Sequence, residues 1–402
     1  MPFPDLLPQP ADPLLALARS ARQDTRPARL DLSVGVYRAA SGHTPVMQAV
    51  KAAELALWRE QASKAYLGVE GDPAFLEAIG ALALGRPQPD LLAMQTPGGT
   101  GALRLAADLL KAGKADRQIW IGTPSWSNHV PVMAAAGLHT RCFAQFDVAR
   151  QKLLPEALLE AIAQAAPGDA VLLQPFCHNP TGAGLSPAQI VAAGQMIAAR
   201  GLVALVDVAY HGFGGALAED AALLALLLDQ LPEALVAYSC SKNFGLYRER
   251  VGALLAHSTH APQRALMAGN LQALARANYS MPPAHGAAIV AAILHDPQLE
   301  AQWRDELAGM ALRLRETRAA LGAAGVAGAV DLSAIPAQSG MFSLLDLPRG
   351  LAQALRRDHA IYVPESGRIN IAGLDASQVP AFVAALRACQ ARAPALHGSV
   401  ER

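Results

Sequence analysis

Between about residues 95 and 255, short apolar runs alternate with helical patterns, and this alternation constrains the fold more than any other feature. The apolar runs at 118–121, 170–173, 202–206 and 235–237 predict buried strands. The segments 101–111, 186–200 and 221–230 predict helices. Strands that alternate with helices form a mainly parallel sheet covered on both faces, so an α/β fold is expected, with ligands at the carboxyl ends of the strands.

The remaining chain is expected to complete a large and a small domain, which suits a length of 402 residues. Residues 1–40 would form a proline-rich N-terminal arm and part of the small domain, and residues 41–300 the large domain. Residues 301–402 would supply a connecting helix and the C-terminal small domain. That domain would contain the strand segments GMFSLLD and RINIAGL and a closing helix from 377 to about 392.

Charge and cysteine content argue against several classes of protein. Lys+Arg and Asp+Glu are both 33, and this balance does not favour nucleic acid or an anionic membrane as a partner. The four cysteines are widely spaced and form no CxxC pair, so neither a disulfide framework nor a metal site is expected. The sequence contains no apolar stretch of membrane-spanning length and no signal-peptide pattern, which predicts a cytoplasmic protein without a membrane partner.

One segment concentrates groups that can hold a phosphorylated aldehyde. Residues 239–250 read SCSKNFGLYRER and follow a predicted strand. Lys242 could form a Schiff base with a cofactor aldehyde, while Ser239, Ser241 and Arg250 bind its phosphate. Taken alone, the same segment could be a surface loop with an ordinary lysine.

Polar residues also follow two other predicted strands. Asp207 comes after LVALV, and a buried carboxylate needs a partner, such as a protonated pyridine nitrogen. Tyr210 could then donate to the phenolic oxygen of the same ring. Asn179, in the turn CHNPTG after VLLQ, could bond that oxygen and a substrate carboxylate. An aspartate that merely caps a turn is the alternative for Asp207.

The segment TPGGTGALRLAADLL indicates an anion site at the start of a helix. The free N–H groups of Gly99, Thr100 and Gly101, together with the helix dipole, would bind one phosphate. The spacing fits neither the GxGxxG of a dinucleotide site nor the GK[ST] of a P-loop. A single phosphate is therefore what this loop predicts.

Aromatic and cationic residues add further candidates. In PSWSNH, Trp126 could stack on a flat ring and His129 could steady Asp207, although a structural tryptophan is the alternative. Arg276 in RANYSMPP and Arg368 in SGRINIAG could each bind a carboxylate. A surface salt bridge is the alternative for each arginine.

Taken together, these segments resemble the class I aminotransferases of fold type I, which use pyridoxal 5′-phosphate (PLP). The match is best to the subgroup of aspartate and aromatic-amino-acid aminotransferases. The resemblance runs over almost the whole chain, from ADPLLAL, LSVGVY and KAYLGVEGDPAF, through the segments above, to GMFS and SGRINIAG.

The resemblance implies a role for each matching position. Lys242 would bind the cofactor covalently and then carry the proton between Cα and C4′, and Asp207 would hold the pyridine nitrogen. Trp126 would stack on the ring, and Tyr210 and Asn179 would bind its phenolic oxygen. The implied phosphate ligands are Gly99, Thr100, Ser239, Ser241, Arg250 and the partner subunit's Tyr66; the implied substrate ligands are Gly35, Asn179, Arg368 and, from the partner subunit, Arg276.

The implied reaction is a ping-pong transfer of the amino group between an L-amino acid, aromatic and/or aspartate, and 2-oxoglutarate, in a homodimer with shared sites. A strict aspartate aminotransferase or a PLP-dependent lyase is the alternative, and the pair of Arg276 and Arg368 favours transamination. A PLP-binding regulator would need a DNA-binding module, and no basic helical extension is seen. Two positions depart from the family: Met281 replaces the usual Asn or Ser, and Gln174 stands where many relatives have histidine.

Overall fold

The computed structural model describes residues 12–88 and 91–391. Residues 1–11 of the predicted arm and the last residue of the predicted closing helix lie outside the described residues. The α-helices are α1 Pro13–Gln23, α2 Gln48–Glu60, α3 Pro73–Leu84, α4 Gly98–Gly113, α5 His129–Ala135, α6 Pro155–Gln164, α7 Pro187–Ala199, α8 Leu217–Leu228, α9 Ala261–Asn278, α10 Ala284–His295, α11 Pro297–Ala323, α12 Leu351–His359 and α13 Val379–Ala391.

The strands are short apart from those of the central sheet. They are β1 Leu30–Asp31, β2 Leu91–Pro97, β3 Gln118–Thr123, β4 His139–Ala144, β5 Phe146–Asp147, β6 Lys152–Leu153, β7 Ala170–Leu173, β8 Val203–Val208, β9 Glu233–Ser239, β10 Val251–Ser258, β11 Val326–Ala327, β12 Val330–Asp331, β13 Phe342–Leu344, β14 Ile361–Tyr362 and β15 Arg368–Asn370. Three 3₁₀ turns lie at Ile335–Ala337, Ile371–Gly373 and Ala376–Gln378.

A seven-stranded sheet in the order β2-β10-β9-β8-β7-β3-β4 forms the centre of the molecule. Its neighbours are parallel except that β10 runs antiparallel to both β2 and β9. The four predicted strands and the mainly parallel α/β fold are therefore confirmed.

Helices cover both faces of this sheet because successive strand residues point to opposite sides. In β7, Val171 belongs to the apolar cluster on one face, which also includes Ile190 of α7 and Leu224 of α8. Its neighbour Leu172 belongs to the cluster on the other face, with Leu103 of α4. The middle of the inner strands is consequently apolar on both sides, as in AVLL of β7 and VALV of β8, which is the pattern that the sequence shows.

Two of the predicted helices begin earlier than expected. The helix predicted at 101–111 starts at Gly98, because Gly98 adopts a φ of +72° that lets the chain turn directly from β2 into α4. The helix predicted at 221–230 spans Leu217–Leu228, with Glu219 and Asp220 in the first turn, where acidic residues favour the helix dipole. The helix predicted at 186–200 is α7, which a Ser186–Gln189 capping box and a proline at its first position begin.

Segments that are far apart in the sequence pair in two short sheets outside the seven-stranded sheet. Leu30 and Asp31 of β1 pair in parallel with Ile361 and Tyr362 of β14, and β13 pairs with β15. The 27-residue helix α11 leads from the central part of the chain to this region. The division of the chain into a large and a small domain, with boundaries at residues 40 and 300, stays a prediction. Across the described residues, none of the helices has the length and apolar character that a membrane crossing requires.

Candidate active site

The carboxyl ends of β8 and β9 and the start of α4 border one cavity of about 240 Å³. This is the edge of the sheet at which the sequence predicts a ligand site. Most of the predicted site residues line the cavity: Gly35, Gly99, Thr100, Trp126, Asn179, Asp207, Tyr210, Ser239, Ser241, Lys242, Arg250 and Arg368. A wider cleft of about 1390 Å³ shares Gly35, Trp126, Asn179 and Arg368 with this cavity.

Asp207 lies near the end of β8 and is held by two donors on a single oxygen. His129 Nε2 lies 3.0 Å from Asp207 Oδ2, and Gln174 Nε2 donates to the same Oδ2 at 2.9 Å. The other oxygen, Oδ1, accepts no hydrogen bond from the described residues, while Asp207 lines the cavity. Oδ1 is therefore the atom that a ligand can use.

His129 is fully buried at the start of α5, and its ring has a defined orientation. Its Nδ1 lies 2.7 Å from the Ser125 hydroxyl, and the Trp126 ring packs edge-on against it at 5.2 Å. Because Nε2 faces a carboxylate, Nε2 carries the hydrogen, and a neutral ring accepts from Ser125 through Nδ1.

A chain of hydrogen bonds links Tyr210 to Arg368 through Asn179. Asn179 Nδ2 donates to the Tyr210 hydroxyl at 3.2 Å, and Arg368 Nη1 donates to Asn179 Oδ1 at 3.4 Å. Burial, with a smaller effect of the Asp207 charge, raises the pKa of Tyr210. Tyr210 is therefore a neutral phenol that can donate a hydrogen bond into the cavity.

Lys242 follows β9, and its Nζ lies 5.1 Å from the centre of the Tyr210 ring. Burial, together with the smaller effects of the Arg250 and Arg368 charges and against the opposing charge of Asp207, lowers the pKa of Lys242 to about 8. An amine with this pKa is partly neutral near pH 8, so it can attack a carbonyl or accept a proton.

The start of α4 and the segment after β9 form a cradle for an anion. The first N–H groups of a helix have no acceptor within it, and here they lie close to Ser239 and Arg250. A Cβ on Gly98 would lie 2.6 Å from Arg250 Nη2, and one on Gly99 would lie 2.9 Å from Ser239 Cβ. Arg250 Nη1 also donates to the Ser241 hydroxyl at 3.4 Å. This approach of backbone, hydroxyls and guanidinium needs glycine and suits one phosphate.

Arg368 is a buried cation, 9% exposed, and among the described residues no carboxylate forms an ion pair with it. Its Nη2 donates to the Ser33 carbonyl at 2.9 Å, and its guanidinium carbon lies 4.5 Å from the centre of the Phe342 ring. A Cβ on Gly35 would lie 2.8 Å from Phe342 Cζ, so glycine at this position lets the Phe342 ring pack closely against the backbone. Because an unpaired buried charge costs several kcal/mol, Arg368 is suited to receive an anionic ligand.

Apart from His129, which contacts Asp207, the predicted site residues that do not line the cavity of their own chain are Tyr66 and Arg276. Tyr66 is 93% exposed, and Arg276 is exposed in the last turn of α9. Met281 lies beside the segment that carries Tyr66, because its sulfur is 3.0 Å from the backbone nitrogen of Leu67, and it follows the helix that carries Arg276. Their contribution to a partner's site stays a prediction.

Several residues of the site had no individual signal in the sequence. Ser125, Phe342 and Tyr247 each lie in or beside a recognised segment, but nothing in the sequence shows that they border the site. The role of Ser33 belongs to its backbone carbonyl, which no residue pattern reveals. Gln174 was noticed only as a departure, and the structure shows that it donates to Asp207.

The chain matches the model of the family "Aminotransferase class I and II" over residues 28–386, so it belongs to that family. It is 49% identical to a tyrosine aminotransferase of Rhizobium meliloti (strain 1021), covering 94% of this chain and 97% of the relative. It is 40% identical to the aspartate aminotransferase of Escherichia coli (strain K12), covering 92% and 96%. An aromatic-amino-acid aminotransferase from Burkholderia pseudomallei, covalently bound to pyridoxal phosphate, superposes with a TM-score of 0.92 at 36% identity, covering 96% of this chain and 99% of that structure.

The chain is therefore a PLP-dependent amino-acid aminotransferase of fold type I. Its cavity fits that cofactor: the anion cradle suits the phosphate, Oδ1 of Asp207 accepts no hydrogen bond from the described residues, and Lys242 lines the same cavity. Within residues 12–88 and 91–391, no group of three or more His, Cys, Asp or Glu side chains could hold a metal ion.

Proposed function

We propose that this cavity is the catalytic site and that Lys242 is the residue that binds the cofactor and moves the substrate proton. The observation that carries the proposal is that one cavity brings together a partly neutral lysine, an aspartate with a free oxygen and an unpaired buried arginine. Each of these groups is costly to bury without a ligand. Their combination suits PLP together with an amino-acid carboxylate.

The residues would hold PLP at three points. Ser239, Ser241, Arg250 and the first N–H groups of α4, at Gly99 and Thr100, would bind the phosphate; Trp126 would cover the ring; and Tyr210 with Asn179 would bind the phenolic oxygen. Asp207 Oδ1 would accept from the protonated ring nitrogen, with His129 holding the other oxygen. Bound in this way, the cofactor supplies an electron-withdrawing ring that stabilises negative charge at the substrate Cα.

Lys242 would take the proton from the substrate Cα and return it to the cofactor carbon. The amine must be neutral to accept the proton, and burial together with the Arg250 and Arg368 charges favours that state. The same residue can serve both steps because Nζ lies beside the ring of Tyr210, on the floor of the cavity.

Arg368 would bind the α-carboxylate of the substrate in a charge-assisted pair. Asn179 and the backbone near Gly35 border the same place and would complete the contact. The amino group of the substrate would then lie toward Lys242. Because amino acids and 2-oxo acids share this carboxylate, one site serves both halves of a ping-pong reaction, with 2-oxoglutarate as the acceptor.

We further propose a homodimer, in which the partner subunit's Tyr66 and the partner subunit's Arg276 complete each site. In support, Trp58 of α2 is 80% exposed and Tyr66 is 93% exposed, with Leu55 and Leu67 exposed nearby. An exposed cluster of large apolar side chains is typical of a surface that another subunit covers.

The substrates that the structure favours are aromatic amino acids together with the dicarboxylic pair. Apolar side chains, among them Leu14, Leu17, Leu344 and Val363, line the wider cleft next to Arg368 and would suit an aromatic ring. Arg276 would serve a second carboxylate, and Met281 gives its surroundings an adaptable apolar surface. A strict aspartate aminotransferase is the alternative.

The proposal is tested by incubating the PLP form separately with L-tyrosine, L-phenylalanine and L-aspartate in the absence of an acceptor. A transaminase converts one equivalent of each accepted amino acid into its 2-oxo acid and then stops until a 2-oxo acid is added. Conversion of aspartate alone would support the strict alternative. Continuous release of ammonia or carbon dioxide would show that this site does not carry out transamination.

A further inference from the structure

Two donors of different chemistry hold Asp207, and both act on Oδ2. One is the imidazole of His129 at 3.0 Å, and the other is the side-chain amide of Gln174 at 2.9 Å. An imidazole nitrogen changes between donor and acceptor with its protonation and tautomer, whereas an amide N–H donates at any pH at which the protein is folded.

The amide of Gln174 is oriented by Asp207 and by no other described residue. Gln174 directly follows β7 and is buried, and its Oε1 has no hydrogen-bond partner among the described residues. A buried carbonyl without a donor is unfavourable, yet the reversed amide would place that carbonyl against the carboxylate. The amide is therefore oriented to donate to Asp207, although this leaves its own carbonyl without a donor.

We propose that Gln174 is a positioning residue for the cofactor ring. By binding Oδ2 with an amide N–H, which donates at any pH, it keeps Oδ1 directed at the ring nitrogen. A titratable imidazole at this position would not be a donor at every pH. The inference rests on the proposed role of Asp207 toward that nitrogen.

The other ionisable groups that face Asp207 are His129, His178, Tyr210 and Lys242. Burial lowers the pKa of His178 to about 3 and raises the pKa of Tyr210, so both stay neutral near pH 7. Burial lowers the pKa of Lys242 to about 8, and this lysine is present unchanged in every variant below. Differences between the variants therefore report on position 174.

Pyridoxamine 5′-phosphate is a suitable probe because it cannot form a covalent link with Lys242. Its dissociation constant from the apoenzyme is compared with that of the 1-deaza analogue, in which a C–H replaces the ring nitrogen. The ratio used below is the dissociation constant of the 1-deaza analogue divided by that of pyridoxamine 5′-phosphate. It measures the ring-nitrogen contact alone. We expect Gln174→Leu to reduce this ratio at least about tenfold, as for the loss of a hydrogen bond to a charged group.

Gln174→Glu separates a donor from a residue that merely fills space, because it keeps the size of the side chain. At about pH 8 the new carboxylate is ionised and repels Asp207, so the ratio should fall further than in Gln174→Leu. Toward about pH 6 the new side chain is protonated, donates to Asp207 and should restore much of the ratio. A purely structural role predicts no such recovery.

Gln145→Leu is the matched control, because the Gln145 amide lies 2.7 Å from His178 Nε2 and makes no hydrogen bond with Asp207. It should leave the ratio unchanged, and thermal unfolding of each apoenzyme checks that the variants are folded. Wild-type ratios in both Gln174 variants, with a collapsed ratio in Asp207→Ala, would overturn this inference alone. An unchanged ratio in Asp207→Ala would refute the proposed role of Asp207, and the inference with it.

Discussion

The inner half of the proposed site is built by residues that one chain holds in place, whereas the residues expected in the outer half are exposed on their own chain. The inner half contains Asp207 of β8, Lys242 after β9 and Arg368 at the start of β15, which are held by contacts of their own chain. The outer half is expected to contain Tyr66 and Arg276, which are exposed on their own chain. The contrast suggests that one subunit binds the cofactor and carries out the proton transfer, while the other selects the substrate side chain.

The largest effect is expected from removing the reactive amine of the inner half. Lys242→Ala should abolish the covalent link to PLP and reduce turnover with every amino acid by at least about 10³-fold. Borohydride reduction and peptide mapping of the wild type should place the pyridoxyl group on Lys242. Lys152, an exposed lysine of β6, provides the control Lys152→Ala, which should behave as the wild type. A pyridoxyl label on another lysine would refute the assignment.

Asp207→Ala should have the second largest effect, at least about 10²-fold in kcat, and it too should act on all substrates alike. The variant should still bind PLP, because the phosphate cradle around Ser239 and Arg250 is untouched. Measurements of kcat and of cofactor content test both statements together. Near-normal turnover with full cofactor content would mean that the ring nitrogen is served by another group.

Unlike the two preceding variants, Arg276→Ala should affect some substrates more than others, because it removes a residue of the outer half. We expect kcat/KM for aspartate to fall about 10²-fold, since a charge-assisted pair with the second carboxylate is lost. The value for phenylalanine should change less than about threefold. A parallel loss for both substrates would place Arg276 with the general machinery and remove the contrast between the halves.

The pH dependence of the reaction of Lys242 with PLP in the apoenzyme should reveal how its surroundings lower its pKa. Burial lowers its pKa to about 8, from a usual value of 10.5, so the amine is charged below about pH 8 and neutral above it. The rate at which apoenzyme captures PLP should therefore rise as pH increases through about 8. Arg250 and Arg368 lower this pKa and Asp207 raises it, so Asp207→Ala should move the midpoint to lower pH. A midpoint near 10.5 in the wild type would contradict the account.

Met281→Asn should give the smallest effect and sharpen the role of the outer half. Met281 contacts the segment that carries Tyr66 and follows the helix that carries Arg276. A polar amide there should lower the ratio of kcat/KM for tyrosine to that for aspartate by about three- to tenfold, because an adaptable apolar surface is lost. An unchanged ratio would show that Met281 does not influence substrate choice.

The sequence predicts the inner half well because its residues follow apolar runs that can form only buried strands. Asp207, Asn179 and Lys242 could be placed at one edge of the sheet before any contact was known. The stacking of Phe342 on Arg368 could not be predicted, since it depends on packing between side chains from different strands. The antiparallel direction of β10 also has no local signal, because an apolar strand reads alike in either direction.

The outer half was predicted only through resemblance to a family, since nothing in the residues around Tyr66 shows that they meet another subunit. The donor role of Gln174 was likewise invisible, because a glutamine after an apolar strand gives no direction for its amide. Local patterns thus identify which residues end up at a strand end. Contacts between distant segments determine how those residues are held.

The most direct test of the contrast between the inner and outer halves is complementation between two variants that are each inactive with aspartate. Lys242→Ala and Arg276→Ala proteins are unfolded together, refolded as a mixture and assayed with aspartate. If each site combines Lys242 of one chain with the partner subunit's Arg276, random pairing should restore about a quarter of the wild-type sites. An equal mixture of the separately refolded proteins is the control. No recovery in a mixture that demonstrably contains hybrid dimers, or full aspartate activity in a monomer, would contradict the account.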